Sequence, residues 1–494
     1  MKVSLSDDIG RLLNQHIPLI ALESSQENHA IELIQRACRD NRQTLHRWSL
    51  TDGLQTLGFG PRIDQAALLQ DPGKMLQAIK ERNEGGVFIL CDLHPHWQSE
   101  PENIRLLKDI ALNFDNIAKH IVLLSHRLDI PAELKSYVAN ASLTLPNDDE
   151  ILSIIRQQAQ RYVAKNDQLK IKTNNQALKQ LIKNLRGLTH RDVARLAYHA
   201  IADDGAIDHS DVPQINSAKF SLLNQQGMLS YQFDTGNLSG VGGLDNLKSW
   251  LKQREKSFLG ETKLSPPRGA LLLGVQGGGK SLAAKAIAGL WNLPLLKLDM
   301  GSLYNKFIGE TEKNLRESLR QAELMSPCVL WLDEIEKAIS AKDQDDGVSK
   351  RLLGYFLTWM SEHTSRVFLV ATSNDITQLP AELVRKGRFD EIFFVDLPNA
   401  KVRQEILSIH LGKRDIEFVG MDLNRVAAAA EGFSGAEIEQ AIIAALYACE
   451  DNNTQTINED DLINAIYKTT PLSIVMAEQI NALRQWADGR TVKA

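Results

Sequence analysis

The sequence predicts an α/β protein whose parallel sheet carries a phosphate-binding loop and is followed by a helical lid. A second α/β module, with a lid of its own, is predicted before it. Three observations indicate this fold. Apolar strands alternate with helical stretches through the C-terminal half, which is typical of a parallel sheet. A glycine-rich loop separates one of these strands from a helix, and after Pro398 the pattern is purely helical.

The composition describes an ordinary globular protein. A chain of 494 residues is too long for one core, so two or three domains are expected. The net charge of −6 argues against a broad surface for nucleic acid, although it does not exclude a local basic channel. The sequence has no membrane-spanning run and no signal-peptide pattern, which predicts a soluble protein of the cytoplasm or of an organelle stroma. The widely spaced cysteines predict reduced core residues: Cys38, Cys91, Cys328 and Cys449.

The C-terminal half defines one predicted module. Its strands are expected at 270–274, 294–299, 328–333, 367–372 and 392–396. Helices are expected at 400–412, 422–430, 434–449 and 458–468, and a final amphipathic helix from Met476 to Asp488. These elements predict a large subdomain at 233–398, a helical lid at 399–468 and a C-terminal helical segment at 469–494.

The N-terminal half repeats this order of parts. Strands are predicted at 18–22, 87–92 and 121–125, and the run Ile130–Leu134 resembles Leu379–Leu383. Gly187–Asp192 echoes Gly432–Glu437 in the same way. The order indicates an internal duplication, although two unrelated α/β domains could also share it. Since no phosphate loop occurs here, we expect a degenerate module at 1–148, a lid-like subdomain at 149–200 and a linker with a short helix at 201–232.

Residues Gly274–Ser281 match the phosphate-binding pattern G-x-x-x-x-G-K-[ST]. The glycines allow backbone N–H groups to turn toward phosphate oxygens. The lysine would reach the β- and γ-phosphates, and the serine hydroxyl would hold Mg²⁺. A strand before the loop and a helix after it form an anion site, so the loop predicts a nucleoside triphosphate with Mg²⁺. The predicted contacts are Gly274, Gly277, Gly278, Gly279, Lys280, Ser281 and Leu282.

Polar residues follow two later strands. Asp333 and Glu334 end the apolar run that begins at Cys328. At the carboxyl edge of a parallel sheet they would lie beside the phosphate loop, where Asp333 would hold Mg²⁺ and Glu334 would orient the attacking water. Asn374 ends the next strand, and its amide could bind the γ-phosphate or that water. Without the loop, a helix-capping acidic pair and a turn asparagine would be the ordinary interpretations.

Arg385 and Arg388 lie three residues apart around Gly387. Two guanidinium groups on such a turn can reach a phosphate outside their own site. Taken alone, the stretch would be interpreted as two solvated surface arginines.

Together these motifs resemble the AAA ATPases of the AAA+ group. The resemblance covers roughly residues 233–468 and adds Val241–Leu244, Gly387–Asp390 and Gly432–Glu437 to the motifs above. It implies an AAA+ module that hydrolyses ATP with Mg²⁺ in a ring, usually a homo-hexamer, and no insertion into a membrane. Arg385 and Arg388 would be donated to the neighbouring subunit's nucleotide. Residues implied to contact the nucleotide are Val241 and Gly242 around adenine, His410 near adenine and ribose, and Gly435 and Ala436 in the lid.

The stretch Lys306, Phe307, Ile308 and Gly309 resembles the first pore loop of these ATPases, where an aromatic side chain grips a threaded polypeptide. Phe307 could instead be a core residue. Lys306 and Lys313 could instead face a phosphate backbone. Three functions therefore remain open: a protein remodeller or unfoldase, a nucleic-acid motor or clamp, and a regulatory scaffold controlled by nucleotide.

A narrower resemblance covers nearly the whole chain. It rests on Gly274–Gln276, Phe356–Met360, Pro471–Ser473 and Arg484–Ala487, together with the degenerate first module. These features resemble the AAA ATPases first listed as a conserved hypothetical reading frame of red-algal plastids and also found in bacteria. The loop itself departs from the usual family pattern of two prolines and a threonine, because Val275, Gln276 and Gly278 stand there. We expect the departure to affect nucleotide affinity more than hydrolysis.

Overall fold

The computed structural model describes residues 10–13, 15, 17–24, 26–57, 69–143, 145–166, 171–208, 211–224, 228–233, 240–299, 310–339, 346–385, 387–416, 418, 420–451 and 457–494. The chain forms two compact units, one of Met1–Gln168 with Gly187–His199 and one of Leu169–Arg186 with Ala200–Ala494. No helix among the described residues has both the length and the apolar character needed to cross a bilayer.

The first unit is built on a six-stranded sheet in the order β3-β2-β4-β5-β1-β6. All neighbouring pairs are parallel except β2 with β3. The strands are β1 (Leu19–Glu23), β2 (Leu45–Ser49), β3 (Gly53–Thr56), β4 (Gly86–Cys91), β5 (Lys119–Ser125) and β6 (Val138–Ser142). The helices are α1 (Glu27–Asp40), α2 (Pro72–Glu81), α3 (Pro95–Ser99), α4 (Pro101–Leu112) and α5 (Asp148–Asn166).

The second unit contains a seven-stranded sheet in the order β15-β14-β10-β13-β12-β11-β9. Only β9 runs antiparallel to its neighbour. The strands are β9 (Leu229–Gln232), β10 (Gly269–Gly274), β11 (Leu295–Asp299), β12 (Cys328–Asp333), β13 (Val367–Ser373), β14 (Glu391–Val395) and β15 (Val492–Lys493). Helices around it are α9 (Asp245–Phe258), α10 (Lys280–Trp291), α11 (Glu310–Leu324), α12 (Glu336–Ile339), α13 (Asp346–Glu362) and α14 (Ala381–Val384).

The sheet of the second unit is buried on both faces, which explains its continuous apolar strands. Leu271 and Leu273 belong to one core, and Ala270 and Leu272 belong to the core on the opposite face. The helical lid has a core of its own. It consists of α15 (Ala400–Gly412), α16 (Leu423–Ala429), α17 (Gly435–Asp451) and α18 (Glu459–Tyr467). The α/β class, the five predicted strands and the four lid helices are confirmed within one or two residues at their ends.

The two sheets share one strand order. From the antiparallel edge, the first reads β3-β2-β4-β5-β1-β6 and the second reads β9-β11-β12-β13-β10-β14, with β15 as an additional strand at its far edge. In each sheet, the parallel strands occur in the same order along the chain. The turn after the third parallel strand also matches, because Asp92 after β4 and Glu334 after β12 both have left-handed backbones, with φ of 52° and 49°. This correspondence supports the predicted duplication.

Residues 201–232, expected to be a linker, are more ordered than predicted. They contain α8 (Asp211–Leu223), whose Phe220 and Leu223 pack against a core of the second sheet, and the edge strand β9. The Nζ of buried Lys219 donates 2.6 Å to the carbonyl of Arg186, which ends α6 (Asn175–Leu185). Apolar burial and this hydrogen bond hold the segment in place. Helix α7 (His190–Asp204) precedes it, and the short strand β8 (Ala206–Ile207) after α7 pairs in parallel with β7 (Lys172–Thr173), which lies before α6.

The C-terminal segment contains the predicted helix from Met476 to Asp488, within one residue at each end, and two further elements that were not predicted. It forms α19 (Leu472–Val475), α20 (Ala477–Ala487) and then β15. Leu483 and Trp486 of α20 pack against a core of the second sheet, and Val492 pairs with Phe393 of β14. The segment therefore covers its own module, because its apolar side chains and backbone donors find partners at the edge of the sheet.

Candidate functional site

The phosphate loop joins β10 to α10. At Gly274 a Cβ atom would lie 2.0 Å from the carbonyl oxygen of Val395, so only glycine fits this close approach. Gly277 and Gly279 have left-handed φ angles of 74° and 93°, which cost other residues free energy. Helix α10 begins directly after Gly279. The N–H groups of its first turn have no partner within the helix, so they can bind an anion.

Lys280 lies inside this loop and is only 6% exposed. Its Nζ donates to the carbonyl oxygens of Gly274, at 2.9 Å, and Val275, at 2.8 Å. Burial lowers the pKa of Lys280 to about 8, and nearby carboxylates of β12 and α12 partly oppose that change. The ammonium group is therefore held at the loop by backbone oxygens that a phosphate could replace.

The two carboxylates at the end of β12 are held by β13. The Thr372 hydroxyl donates to Oδ1 of Asp333 at 2.8 Å and accepts the backbone N–H of Glu334 at 3.1 Å. The left-handed backbone of Glu334 turns this residue away from the strand direction. Its Oε1 accepts a hydrogen bond of 3.3 Å from Nδ2 of Asn374. The four side chains thus form one connected group at the carboxyl edge of the sheet.

Each carboxylate also has a lysine partner. The Nζ of Lys297, on β11, lies 2.9 Å from Oδ2 of Asp333. Lys337, on α12, forms an ion pair with Glu334, and this partner raises the pKa of Lys337. Neither lysine could be assigned to the site from motif spacing.

The segment before α9 is held against the lid. The backbone N–H of Gly243 donates to Oε2 of Glu405 at 2.9 Å, and Nζ of Lys248 donates to the carbonyl of Val241 at 2.7 Å. At Gly242 a Cβ atom would lie 3.0 Å from the side chain of Ile406 on α15. Val241 and Gly242 therefore present backbone and apolar surface, which suits a flat aromatic base.

The first turn of α17 contacts the phosphate loop. Ser434 and Glu437 form a reciprocal cap, with the N–H of Ser434 2.7 Å from Oε2 of Glu437 and the N–H of Glu437 3.4 Å from Oγ of Ser434. This cap fixes the start of the helix, whose Ala436 N–H lies 3.4 Å from the carbonyl of Gly277. The lid and the loop therefore meet at this point.

His410 lies on α15 with its Nδ1 3.2 Å from Oε1 of Glu439. Burial lowers the pKa of His410, and the carboxylate of Glu439 opposes that change. The imidazole is thus favoured in its neutral form, in which one ring nitrogen can donate and the other can accept a hydrogen bond.

These groups enclose a cavity of about 550 Å³, a volume within the range of small-molecule sites. Neither Gly274 nor the two arginines line it. Residues that sequence reasoning missed include Thr372, Ile406, Lys413 and Glu439; of these, Glu439 lies one helical turn after Gly435. The predicted residues that line the cavity are Val241, Gly242, Gly277, Gly278, Gly279, Lys280, Ser281, Leu282, Asp333, Glu334, Asn374, His410, Gly435 and Ala436.

The donor set of the cavity fits Mg²⁺. Ser281 and Asp333 supply hard oxygen ligands, and this ion takes only a few protein ligands and completes its shell with phosphate oxygens and water. In the described part of the chain, no group of three His, Cys, Asp or Glu side chains could hold a metal. A metal here would therefore depend on the phosphates of a bound nucleotide.

The predicted arginines lie on an exposed turn. Arg385 is exposed and Arg388 is half-buried. The turn is anchored to the start of β10, because Oδ2 of Asp390 accepts hydrogen bonds from the backbone N–H groups of Arg268 at 2.6 Å and Gly269 at 2.8 Å. Within the described residues, the buried NH1 of Arg388 has no hydrogen-bond partner.

The predicted pore-loop residues lie outside the described residues. These are Lys306, Phe307, Ile308 and Gly309. Lys313, the other lysine of the nucleic-acid alternative, is exposed on α11.

The first unit places different side chains at the corresponding position. Only three residues separate β1 from α1, too few for a phosphate loop. His29, in the first turn of α1, stacks on His190 at the start of α7, with ring centroids 3.9 Å apart. Oε1 of Gln26 accepts the N–H of His190 at 3.0 Å. Burial lowers the pKa of both histidines, that of His190 to about 4, so the rings stack in their neutral forms.

Family models of known proteins match three segments of the chain. Residues 270–397 match the model of the ATPase family associated with various cellular activities (AAA). Residues 5–143 match the N-terminal domain of SpoVK-like AAA ATPases, and residues 149–226 match the second domain of the same proteins.

Two of the similar proteins match this chain over nearly its whole length, and a third matches part of it. The AAA domain-containing protein ycf46 of Pyropia yezoensis is 35% identical over 100% of this chain and 99% of its own length. The ycf46 protein of Guillardia theta is 34% identical over 99% of this chain and 96% of its own length. The proteasome-activating nucleotidase of Aeropyrum pernix is 35% identical over 42% of this chain and 52% of its own length.

Proposed function

The chain belongs to the AAA ATPase family, with the ycf46 proteins among its full-length relatives, and we propose that it is an ATP-hydrolysing ring ATPase that remodels protein clients. The observation that carries the proposal is the convergence of Lys280, Asp333, Glu334 and Asn374 on one cavity. The phosphate loop holds the triphosphate, and a bound Mg²⁺ neutralises the charge that develops on the transferred phosphoryl group.

Each of the following residues of this chain then has a separate role in in-line hydrolysis. Lys280 exchanges its two carbonyl partners for the β- and γ-phosphates. The Ser281 hydroxyl and the Asp333 carboxylate would hold the metal. Glu334 accepts a proton from the attacking water, while the amide of Asn374 fixes the carboxylate that does so.

In a ring, a neighbouring subunit would complete the nucleotide site by supplying its arginines. Arg385 and Arg388 lie outside the cavity of their own chain, on a turn whose backbone is fixed by Asp390. Among the described residues the buried NH1 of Arg388 has no hydrogen-bond partner, and guanidinium groups are strong donors to phosphate. We therefore propose a homo-hexamer in which each nucleotide lies between two subunits, with one active site per chain.

A protein client is favoured over nucleic acid. The sequence pattern at Phe307 resembles an aromatic pore loop, and a relative that matches 42% of this chain is named a proteasome-activating nucleotidase. Phe307→Ala is expected to abolish work on a client and to spare basal ATPase activity. Stimulation of ATPase activity by single-stranded DNA or RNA, with steep salt dependence, would favour Lys306 and Lys313 as ligands of a phosphate backbone instead.

The experiment that tests the proposal is a Glu334→Gln trap. The variant should bind ATP and Mg²⁺ without turnover, and client proteins should co-purify with it in an ATP-dependent way. Glu362→Gln, an exposed carboxylate at the end of α13, is the matched control and should hydrolyse ATP normally. Undiminished hydrolysis by the trap would refute the role of Glu334. Recovery of no reproducible client would favour a regulatory scaffold.

A further inference from the structure

Lys297 is placed beside the metal-binding carboxylate by the register of the sheet. On neighbouring strands, Lys297 is paired with Trp331, and its Nζ lies 4.4 Å from the centre of that indole ring. Asp333 follows two residues later on the same face of β12. The Nζ of Lys297 therefore contacts the face of the Trp331 ring and also reaches Oδ2 of Asp333 at 2.9 Å.

Both carboxylate oxygens of Asp333 accept hydrogen bonds from side chains on the neighbouring strands. The Thr372 hydroxyl of β13 donates to Oδ1 at 2.8 Å, and Lys297 of β11 donates to Oδ2. A carboxylate held this way has a fixed orientation. It also has a cation beside the place where Mg²⁺ would act.

The ion pair can open without moving the lysine far. The side chains of Lys297 and Asp333 are 29% and 24% exposed, so water screens their attraction and the pair is readily exchanged. The buried ring of Trp331, which is 3% exposed, still attracts the ammonium group through a cation–π contact. The positive charge therefore stays near Asp333 after the hydrogen bond has broken.

We propose that Lys297 is a positioning residue that sets the magnesium requirement of the nucleotide site. It neutralises Asp333 in the nucleotide-free chain and opposes entry of a bare divalent cation. The negative charge of a bound triphosphate outweighs this opposition, so the metal binds with the nucleotide or after it. This inference rests on the proposed function, since it concerns the same ATP site.

A binding titration tests it without using turnover. A fluorescent ATP analogue is bound to the full chain, and the Mg²⁺ concentration at half-maximal signal is measured. Lys297→Met keeps an unbranched apolar side chain beside Trp331 but removes the charge, and it should lower that midpoint about 3- to 10-fold. Lys297→Arg should leave it within about twofold. Lys252→Met, which removes an exposed charge on α9, should leave the midpoint unchanged.

A double variant shows whether the lysine acts through Asp333. In an Asp333→Asn background, Lys297→Met should shift the midpoint much less than in the wild-type background. An unchanged or raised midpoint in Lys297→Met alone would overturn the proposal, as would an equal shift in both backgrounds. If the wild-type chain bound no nucleotide, the proposed function would fail and this inference with it. A bound nucleotide with an unshifted midpoint would refute this inference alone.

Discussion

The Nδ2 of Asn374 lies 3.3 Å from Oε1 of Glu334, so the first residue after β13 holds the proposed catalytic carboxylate that follows β12. The backbone N–H of Asn374 also donates to Oε1 of buried Glu336 at 3.0 Å. The backbone of Asn374 is therefore anchored to Glu336, while its side-chain amide holds Glu334. We therefore propose that Asn374 positions Glu334 for hydrolysis.

Asn374→Ala is expected to lower the turnover number about 10- to 100-fold, because Glu334 loses the contact that aims it at water. The affinity for ATP should change little. Steady-state ATPase assays together with binding of a labelled ATP analogue measure the two effects separately. The control Asn116→Ala, at an exposed position in the first unit, should alter neither. An equal loss of affinity and turnover would instead indicate that the amide contacts the γ-phosphate.

The strands that position these residues could be predicted because both faces of the sheet are buried. Residues 328–333 form one apolar run with a clear end at Asp333, and β12 has the same bounds. The edge strands could not be predicted in the same way. Leu229–Gln232 and Val492–Lys493 are short, and their extended form depends on pairing with β11 and β14.

The candidate site likewise has one part that could be predicted from the sequence and another part that could not. Its loop and acidic residues occur in local patterns whose chemistry can be inferred from spacing. Thr372 and Lys297 reach Asp333 across 39 and 36 residues of chain, and only the register of neighbouring strands brings them there. Local periodicity carries no information about that register. Sequence reasoning therefore found the groups proposed to act on nucleotide and missed the groups that hold them.

Arg385→Ala should lose most ATPase activity although its own nucleotide cavity is intact, because the lost guanidinium group serves the neighbouring subunit. A mixing experiment tests this arrangement. Rings mixed from Arg385→Ala and Glu334→Gln chains should regain part of the activity, since a Glu334→Gln neighbour supplies the missing arginine to an intact site. The same experiment applies to Arg388. Mixtures with no more activity than the separate variants would contradict action between subunits.

The affinity for ATP should fall as pH rises through about 8. In the nucleotide-free chain the pKa of Lys280 is lowered to about 8, and bound phosphate must raise it because it favours the charged form. Affinity is therefore constant below the free pKa and falls above it, by at most about tenfold per pH unit. Binding titrations between pH 7 and 9 measure the slope. Lys280→Arg, which stays charged, should show a flat profile, and a flat wild-type profile would refute the prediction.

The Arg484–Asp396 pair joins the C-terminal segment to the start of the lid. Nε of Arg484 lies 3.0 Å from each oxygen of Asp396, and its NH2 lies 2.9 Å from Oδ1. Asp396 directly follows β14 and stands four residues before α15. Because both side chains are exposed, the pair should contribute at most about 1 kcal/mol to stability, and its main effect should be local.

Arg484→Ala is therefore expected to speed amide hydrogen exchange several-fold at Asp396, Leu397 and Asn399, because the connection between sheet and lid loses its side-chain anchor. Global unfolding should change little. Arg490→Ala is the matched control, since the guanidinium of this exposed arginine of the same segment contacts only Trp486 of α20 in the described contacts, with NH1 3.1 Å from its carbonyl. Hydrogen-exchange mass spectrometry on peptides covering 391–412 makes the measurement. Identical exchange in the two variants would show that the pair does not restrain the lid.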